Sequence, residues 1–423
     1  MSKLTFNPIF KKNTITYIIL FLFVFGIPFS FIPVNTSKLI FALFIIIFFL
    51  NGNIKNLYKK NFCLMLLLNL ALLATSILPL IVNNSSDINN TYATLVLFTE
   101  AFIGSILIIY FLFNKKDLYF LLYSIVVIAL AQSIIILLML FIAPLRDFIF
   151  SITLTTGAAL FERYDGFRGL GLAASLTYDL AVFLSISLII LSYLFIKSYL
   201  SIKKTILFWI IIFFAICITG RTGLFGAFLS ILFILVSNLT SKSHQKKMFI
   251  LSLSTIFILL FLFLLISLFF PKHFDLVNSI FTKYTFEFIS NYSQTGKIET
   301  ESSNILKDMY FPISSHTFFW GDGYWLDPNG NGYYMHTDAG YMRSILYGGF
   351  INILLLSLVY FVGFIGISRF SKERAFRLMI ILISIIYFSS EIKGDFFLGS
   401  SINIKLFFLL LAYFFLLKKP ITC

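Results

Sequence analysis

Long apolar runs, separated by short polar or basic stretches, recur along nearly the whole of this 423-residue chain. A hydrocarbon layer of about 30 Å needs roughly 20 apolar residues in a helix. Twelve runs approach that length, at 14–33, 37–50, 62–82, 91–113, 118–143, 175–196, 205–219, 223–237, 248–270, 339–367, 375–390 and 396–417. The pattern predicts an all-α integral membrane protein of about twelve transmembrane helices, forming one polytopic membrane domain over residues 1–423. The first run follows Lys3, Lys11 and Lys12 but has no small-residue cleavage site, so it reads as a retained helix and not a signal peptide.

Composition narrows the class further. The chain is 59% hydrophobic and 12% charged, with a mean hydropathy of +0.97, which excludes an ordinary soluble domain. Alternate connections should carry the Lys and Arg excess if the helix count is right. With the N-terminus in the cytoplasm, the inner set holds the three N-terminal lysines, Lys55, Lys59, Lys60, Lys115, Lys116, Lys197, Lys203, Lys204, Lys242, Lys246, Lys247, Arg369, Lys372, Arg374, Arg377, Lys418 and Lys419. Only Asp117 and Glu373 oppose these 20 cations, leaving +18 inside. The remaining 12 basic and 16 acidic residues give −4 outside and in the adjoining helices, and the two sides sum to the chain's +14. Both termini are therefore expected in the cytoplasm. The basic balance is topological and requires no nucleic acid. Cys63, Cys217 and Cys423 fall in helices or the cytoplasmic tail without metal-ligand spacing, so neither a disulfide nor a metal site is expected from them.

Two external connections are long, at 144–174 and 271–338. Polar function in a helical membrane protein concentrates where helices give way to protein-lined cavities. In the second loop, Gly321, Gly323, Gly330 and Gly332, with the turn dipeptides Asn329-Gly330 and Asn331-Gly332, imply tight irregular backbone. Trp320, Tyr324, Trp325, Tyr333 and Tyr334 in this stretch, and Tyr341 just beyond it, are candidate platforms for sugar rings. An interfacial aromatic belt is the plainer reading.

Five of the eight arginines, Arg146, Arg163, Arg168, Arg221 and Arg343, fall on the external side, where few basic residues are expected. Arginine grips phosphate bidentately and stays charged at any working pH. Arg221 lies in Thr-Gly-Arg-Thr-Gly between two runs of only about 15 residues, or roughly 22 Å of helix. Its hairpin tip would sit below headgroup level, where an unpaired arginine costs on the order of 2.5 kcal/mol or more. A phosphate ligand, an acidic side chain such as Asp179, or snorkelling would relieve that cost. Arg163 and Arg168, in Glu-Arg-Tyr-Asp-Gly-Phe-Arg-Gly, are candidates for a second phosphate contact or for a local ion pair with Glu162 or Asp165. Arg221, Arg163, Arg168 and Arg343 make up the expected phosphate-binding set.

His336 and Asp338 precede the tenth run, with Asp338 expected at its N-cap and Arg343 a little over one turn later. An imidazole with a pKa near 6.5 accepts a proton at neutral pH, so His336 is a candidate general base, with Asp338 orienting it or acting as base itself. His316 is the rival histidine in the same loop. Glu100 and Lys405 each lie about nine residues, roughly 14 Å, from the outer ends of their runs, which predicts a buried pair across two helices. That pair is read as structural; a proton path is the sharper option.

At these motifs the chain resembles the bacterial O-antigen and capsular polysaccharide polymerases, the Wzy family, which are related to the O-antigen ligases. The resemblance rests on Thr219-Gly220-Arg221-Thr222-Gly223-Leu224, Phe167-Arg168-Gly169-Leu170, Gly321-Asp322-Gly323, and Thr337-Asp338-Ala339-Gly340-Tyr341-Met342-Arg343 leading into Tyr347-Gly348-Gly349. It implies a GT-C-like membrane glycosyltransferase of the bacterial cytoplasmic (inner) membrane, with its active site facing the periplasm. The implied substrate is an undecaprenyl-pyrophosphate-linked oligosaccharide, joined by inverting transfer to the non-reducing end of a new lipid-linked unit. No metal or other cofactor is implied; a chain-length regulator and a flippase are the implied protein partners. An O-antigen ligase shares donor and chemistry, although the Asp-Ala-Gly-Tyr-Met-Arg run favours a polymerase. A flippase or other transporter is the rival of a different class, disfavoured by the long second loop and the lack of an internal repeat.

Overall fold

The computed structural model describes residues 8–51, 60–114, 116–154, 159, 161–162, 169–174, 177–238, 287–296, 300–330 and 332–416. Among them the ordered elements are helices, and β structure is limited to the isolated bridges Phe29–Thr153 and Leu326–Tyr333. The helices, numbered in chain order, are α1 (Pro8–Phe25), α2 (Thr36–Asn51), α3 (Lys60–Val82), α4 (Asn89–Phe113), α5 (Leu118–Phe141), α6 (Ala143–Ile152), α7 (Thr177–Ile196), α8 (Ile202–Thr219) and α9 (Thr222–Asn238). After the next described segment begins come α10 (Glu287–Thr295), α11 (Glu301–Asp308), α12 (Ser315–Trp320), α13 (Gly340–Arg369), α14 (Arg374–Lys393) and α15 (Ser401–Leu416).

Seven of these are long and apolar enough to cross a membrane: α3, α4, α5, α7, α8, α13 and α14. Four shorter apolar helices correspond to the runs beginning at 14, 37, 223 and 396. The expected span at 248–270 lies outside the described residues.

The bundle is organised around α7, every residue of which is buried from Asp179 to Phe195. It packs against α5, α8, α9, α14 and α15. Helices in lipid gain little from hydrophobicity alone and depend on close packing over small residues. Gly223 and Gly226 of α9 meet Ala181 and Ser185 of α7: a Cβ on Gly223 would stand 2.7 Å from the Ala181 carbonyl oxygen, and one on Gly226 only 2.3 Å from Ser185 Oγ. Gly223 thus serves helix packing in addition to following the Arg221 turn.

Of the boundaries that differ from the sequence expectation, three have a clear local reason. The fifth run ends at Phe141 because Pro144, which lacks a backbone N–H, opens the separate helix α6 inside the first long loop. The twelfth run becomes helical only at Ser401. Its preceding residues are held irregular because Glu391 Oε2 accepts the backbone N–H groups of Phe396 (2.8 Å) and Phe397 (2.7 Å), while the Tyr360 hydroxyl donates to the Phe397 carbonyl. Asp338 is not the N-cap of α13: the helix begins at Gly340, the cap position is Ala339, and no side chain caps it. The one-residue shift turns the Asp338 carboxylate away from its expected structural duty.

The second long loop is more structured than its composition suggests. Thr300 and Ser303 form a reciprocal capping box at the start of α11, and Ser314 caps α12 by accepting from Thr317 N at 3.0 Å.

Candidate functional site

The site is built where α13 breaks. Gly349 has φ +65°, a left-handed conformation that a side chain would strain, and it interrupts the helical ladder after Tyr347 and Gly348. The carbonyls of Leu346 and Tyr347 accept instead from Asp322 N (2.6 Å) and Gly323 N (3.0 Å) of the second loop. Gly321 and Gly349 admit this contact, since a Cβ on either would fall within 2.3 Å of a backbone carbonyl oxygen, that of Tyr347 or Phe319 respectively. Two motifs far apart in sequence, Gly321-Asp322-Gly323 and Tyr347-Gly348-Gly349, therefore form one backbone joint. The Asp322 carboxylate is occupied there, accepting from Thr317 Oγ1 at 2.8 Å and from Tyr334 Oη at 3.3 Å.

The other side of the loop is fixed by a residue not anticipated from sequence. Asp87, between α3 and α4, accepts the backbone N–H groups of Trp325 and Leu326 at 2.7 Å each on Oδ2, and Asn89 N (3.0 Å) and Nδ2 (2.7 Å) on Oδ1. Burial alone would raise its pKa, but these four donors together lower it, so the carboxylate is held ionised. Ser85 and Asn83 add side-chain bonds to the Gly323 and Gly321 carbonyls.

Beneath the anchored loop is a cavity of about 340 Å³ lined by Asn89, Tyr178, Trp325, Leu326, Tyr333, Asp338, Arg343, Gly394, Asp395 and Gly399. Its walls come from one end of the bundle: the starts of α4, α7 and α13 and the connection from α14 to α15. Arg343 is its most constrained member, with a side chain only 6% exposed. The guanidinium carbon lies 3.9 Å from the Trp325 ring centroid and 4.0 Å from that of Tyr333. Its polar contacts are long, 3.4 Å to the Trp325 carbonyl and 3.6 Å to Asp395 Oδ2, and Nε has no hydrogen-bond partner. Burial pushes the carboxyls of Asp338 and Asp395 above their usual values, opposed in both by Arg343 and, for Asp338, by Lys393. Asp395 is held further by Leu398 N at 3.3 Å, and Tyr178 Oη donates to its backbone carbonyl at 2.7 Å. Glu391 is wholly buried directly behind, against Gly340, where a Cβ would stand 2.4 Å from Glu391 Oε1.

The structure thus brings together Asp338, Arg343, Trp325 and Tyr333 of the residues singled out from sequence. It places the others elsewhere. His336 is exposed, with φ +55°, and does not line the cavity; His316 is exposed on α12. Arg221 does not line it either: its guanidinium pairs with Glu287 of α10 and donates to Ser302 Oγ of α11 at 3.2 Å. The anion that meets Arg221 is therefore a carboxylate, and not that of Asp179, which packs at the head of α7. Arg163 and Arg168 lie outside the described residues. Trp320 is 46% exposed, Tyr324 packs on Tyr334 with centroids 5.5 Å apart, and Tyr341 donates to the Phe388 carbonyl at 3.1 Å while packing edge-on to Phe397. Arg146 pairs with neighbouring Asp147 at 3.2 Å.

Asp395, Tyr178 and Asn89 were not singled out from the sequence, although Asp395 carried a signal: an acid flanked by Gly394 and Phe396 between two apolar runs. Away from the cavity, Lys405 and Glu100 form the buried pair that their depths imply, Nζ to Oε1 at 2.8 Å with side chains 2% and 5% exposed, and Ser37 Oγ also donates to Glu100. Glu100 sits in a π-helical stretch of α4, Leu97–Ile103.

No protein-family model matches this chain, and no curated protein matches it.

Proposed function

We propose that this chain polymerises lipid-linked oligosaccharide repeat units, as a metal-independent inverting membrane glycosyltransferase of the bacterial inner membrane. In this reading it spans the membrane twelve times with both termini in the cytoplasm, and the cavity faces the periplasm. The charge bias of alternate connections supports the orientation, because every cavity-lining element is then at an external helix end.

One observation carries the reading. Asp338, displaced from capping, presents a carboxylate to a cavity beside an incompletely partnered arginine and a tryptophan. Asp338 accepts the proton of an acceptor hydroxyl as its oxygen attacks the anomeric carbon of the donor glycan. The bond from that carbon to the diphosphate oxygen breaks, and undecaprenyl pyrophosphate leaves with the electron pair. Arg221 exchanges Glu287 for the departing diphosphate, where charge accumulates in the transition state. His336 is the less favoured base because it is exposed and outside the cavity.

A transporter is the second reading, favoured by the Glu100–Lys405 pair inside an irregular transmembrane helix. A deletion strain separates the possibilities. Loss of a polymerase leaves lipopolysaccharide bearing a single repeat unit; loss of a ligase leaves bare core with accumulated lipid-linked polymer. Unpolymerised repeats accumulating on the inner leaflet point to a flippase and refute the polymerase.

A further inference from the structure

The cavity walls carry two carboxylates, Asp338 and Asp395, against one guanidinium, Arg343. With all three ionised the lining is negative by one charge, and the two ionisable groups just outside it, Lys393 near Asp338 and Glu391 near Asp395, offset each other when both are charged. Arg343 nevertheless requires acceptors, since a guanidinium has five N–H donors and its contacts here are two long bonds and an empty Nε. Buried donors left unmade are costly, so a ligand that supplies oxygen atoms is strongly favoured.

Two ligand chemistries supply oxygens to this arginine. A diphosphate would bring at least two further negative charges into walls that are already negative, at distances where charges interact strongly. A neutral sugar brings hydroxyl oxygens that accept from Arg343 and hydroxyl hydrogens that donate to Asp338 and Asp395. The Trp325 indole and the Tyr178 and Tyr333 phenols add the apolar surface and hydroxyl groups suited to a pyranose. At about 340 Å³ the cavity is at the small end of the roughly 300–1,000 Å³ typical of small-molecule sites.

We infer that this cavity holds an uncharged sugar at the end of a glycan, and that Asp338 and Asp395 set its specificity by excluding anionic sugars and diphosphate. The inference rests on the glycan-transfer reading and deepens it. Arg343 is then a sugar-binding residue, and the diphosphate is held elsewhere.

Trp325 supplies the readout. The full chain contains only three tryptophans, so Trp209→Phe with Trp320→Phe leaves the cavity indole as the sole tryptophan fluorophore. This variant, in lipid nanodiscs, is titrated with methyl glycosides of neutral hexoses and N-acetylhexosamines, with glucuronate and with inorganic pyrophosphate. Saturable quenching by at least one neutral glycoside, and by neither anion, is expected. Adding Asp338→Asn, a half-buried position with no capping duty, removes one negative charge and is expected to strengthen glucuronate binding roughly tenfold or more. Adding Arg343→Met instead abolishes the neutral-sugar response.

Quenching by pyrophosphate or glucuronate at the unaltered lining, or by no neutral glycoside, overturns the inference. The fluorescence reports occupancy and not polymer, so the two readings fail separately. A chain that takes neutral glycosides, but whose deletion leaves polymer intact, keeps the sugar site and loses the polymerase. Single-repeat lipopolysaccharide on deletion, with pyrophosphate in the cavity, does the reverse.

Discussion

The buried Glu100–Lys405 pair gives a sharp test of how this bundle is held together. At 2.8 Å the attraction is about 6 kcal/mol for an effective dielectric of about 20, before the desolvation of either ion is subtracted. That subtraction removes most of it, so the pair contributes little net stability over a well-packed apolar replacement. Removing one partner is different. Glu100→Gln removes the counter-charge and leaves the Lys405 ammonium with a neutral amide oxygen and, at 5.6 Å, the Phe23 ring centroid. Lys405→Met leaves a buried carboxylate with the Ser37 hydroxyl and the weaker pull of Lys38, and each single substitution is expected to cost about 3–5 kcal/mol. Glu100→Gln combined with Lys405→Met should recover most of that loss. The assay is a double-mutant cycle on thermal unfolding of the protein in detergent, read alongside polymer length in cells. Coupling near zero, or singles as stable as the parent, would refute the argument. A stable double variant that has lost all polymer would move the pair from structure to proton transfer.

The loop anchor is tested by Asp87→Ala, which removes the acceptor for Trp325 and Leu326 and should free the loop by about 3 kcal/mol; proteolysis within 321–334 is expected to accelerate, and an unchanged rate would refute the anchoring role. The raised carboxyls of Asp338 and Asp395 give opposite pH trends for stability and activity. Their contribution to stability is fully present below the unfolded carboxylate value of about 3.9 and is lost as pH rises through the folded pKa values. With Asp338 as the proposed base, polymer formation would require its ionised form and is expected to rise with pH above that same value; a flat rate from about pH 4 to 7 would exclude Asp338 as base. Arg221→Lys keeps the charge but loses the planar fork that reaches both Glu287 and Ser302, and is expected to abolish most polymer formation. Near-normal polymer from a well-inserted Arg221→Ala variant would remove Arg221 from the mechanism.

The sequence by itself determined the helical membrane class, because apolar runs of spanning length have no stable alternative in lipid. It also paired Glu100 with Lys405, since two opposite charges at matched depth have few other partners. Asp338, Arg343 and Trp325 were visible as candidates, each in a motif where polar or aromatic groups interrupt apolar sequence. Only the tertiary structure decided which of the candidates share a cavity. The partner of Arg221 is Glu287, 66 positions away, and the residues that fix Trp325 and Arg343 are Asp87 and Asp395, from separate connections. Local pattern reports which face of a helix is apolar, but it carries no information on which distant carboxylate a guanidinium will reach. Nor could it show that Gly321-Asp322-Gly323 completes the hydrogen bonds freed by the break at Gly349, because that requires two glycines to bring two backbones within contact distance.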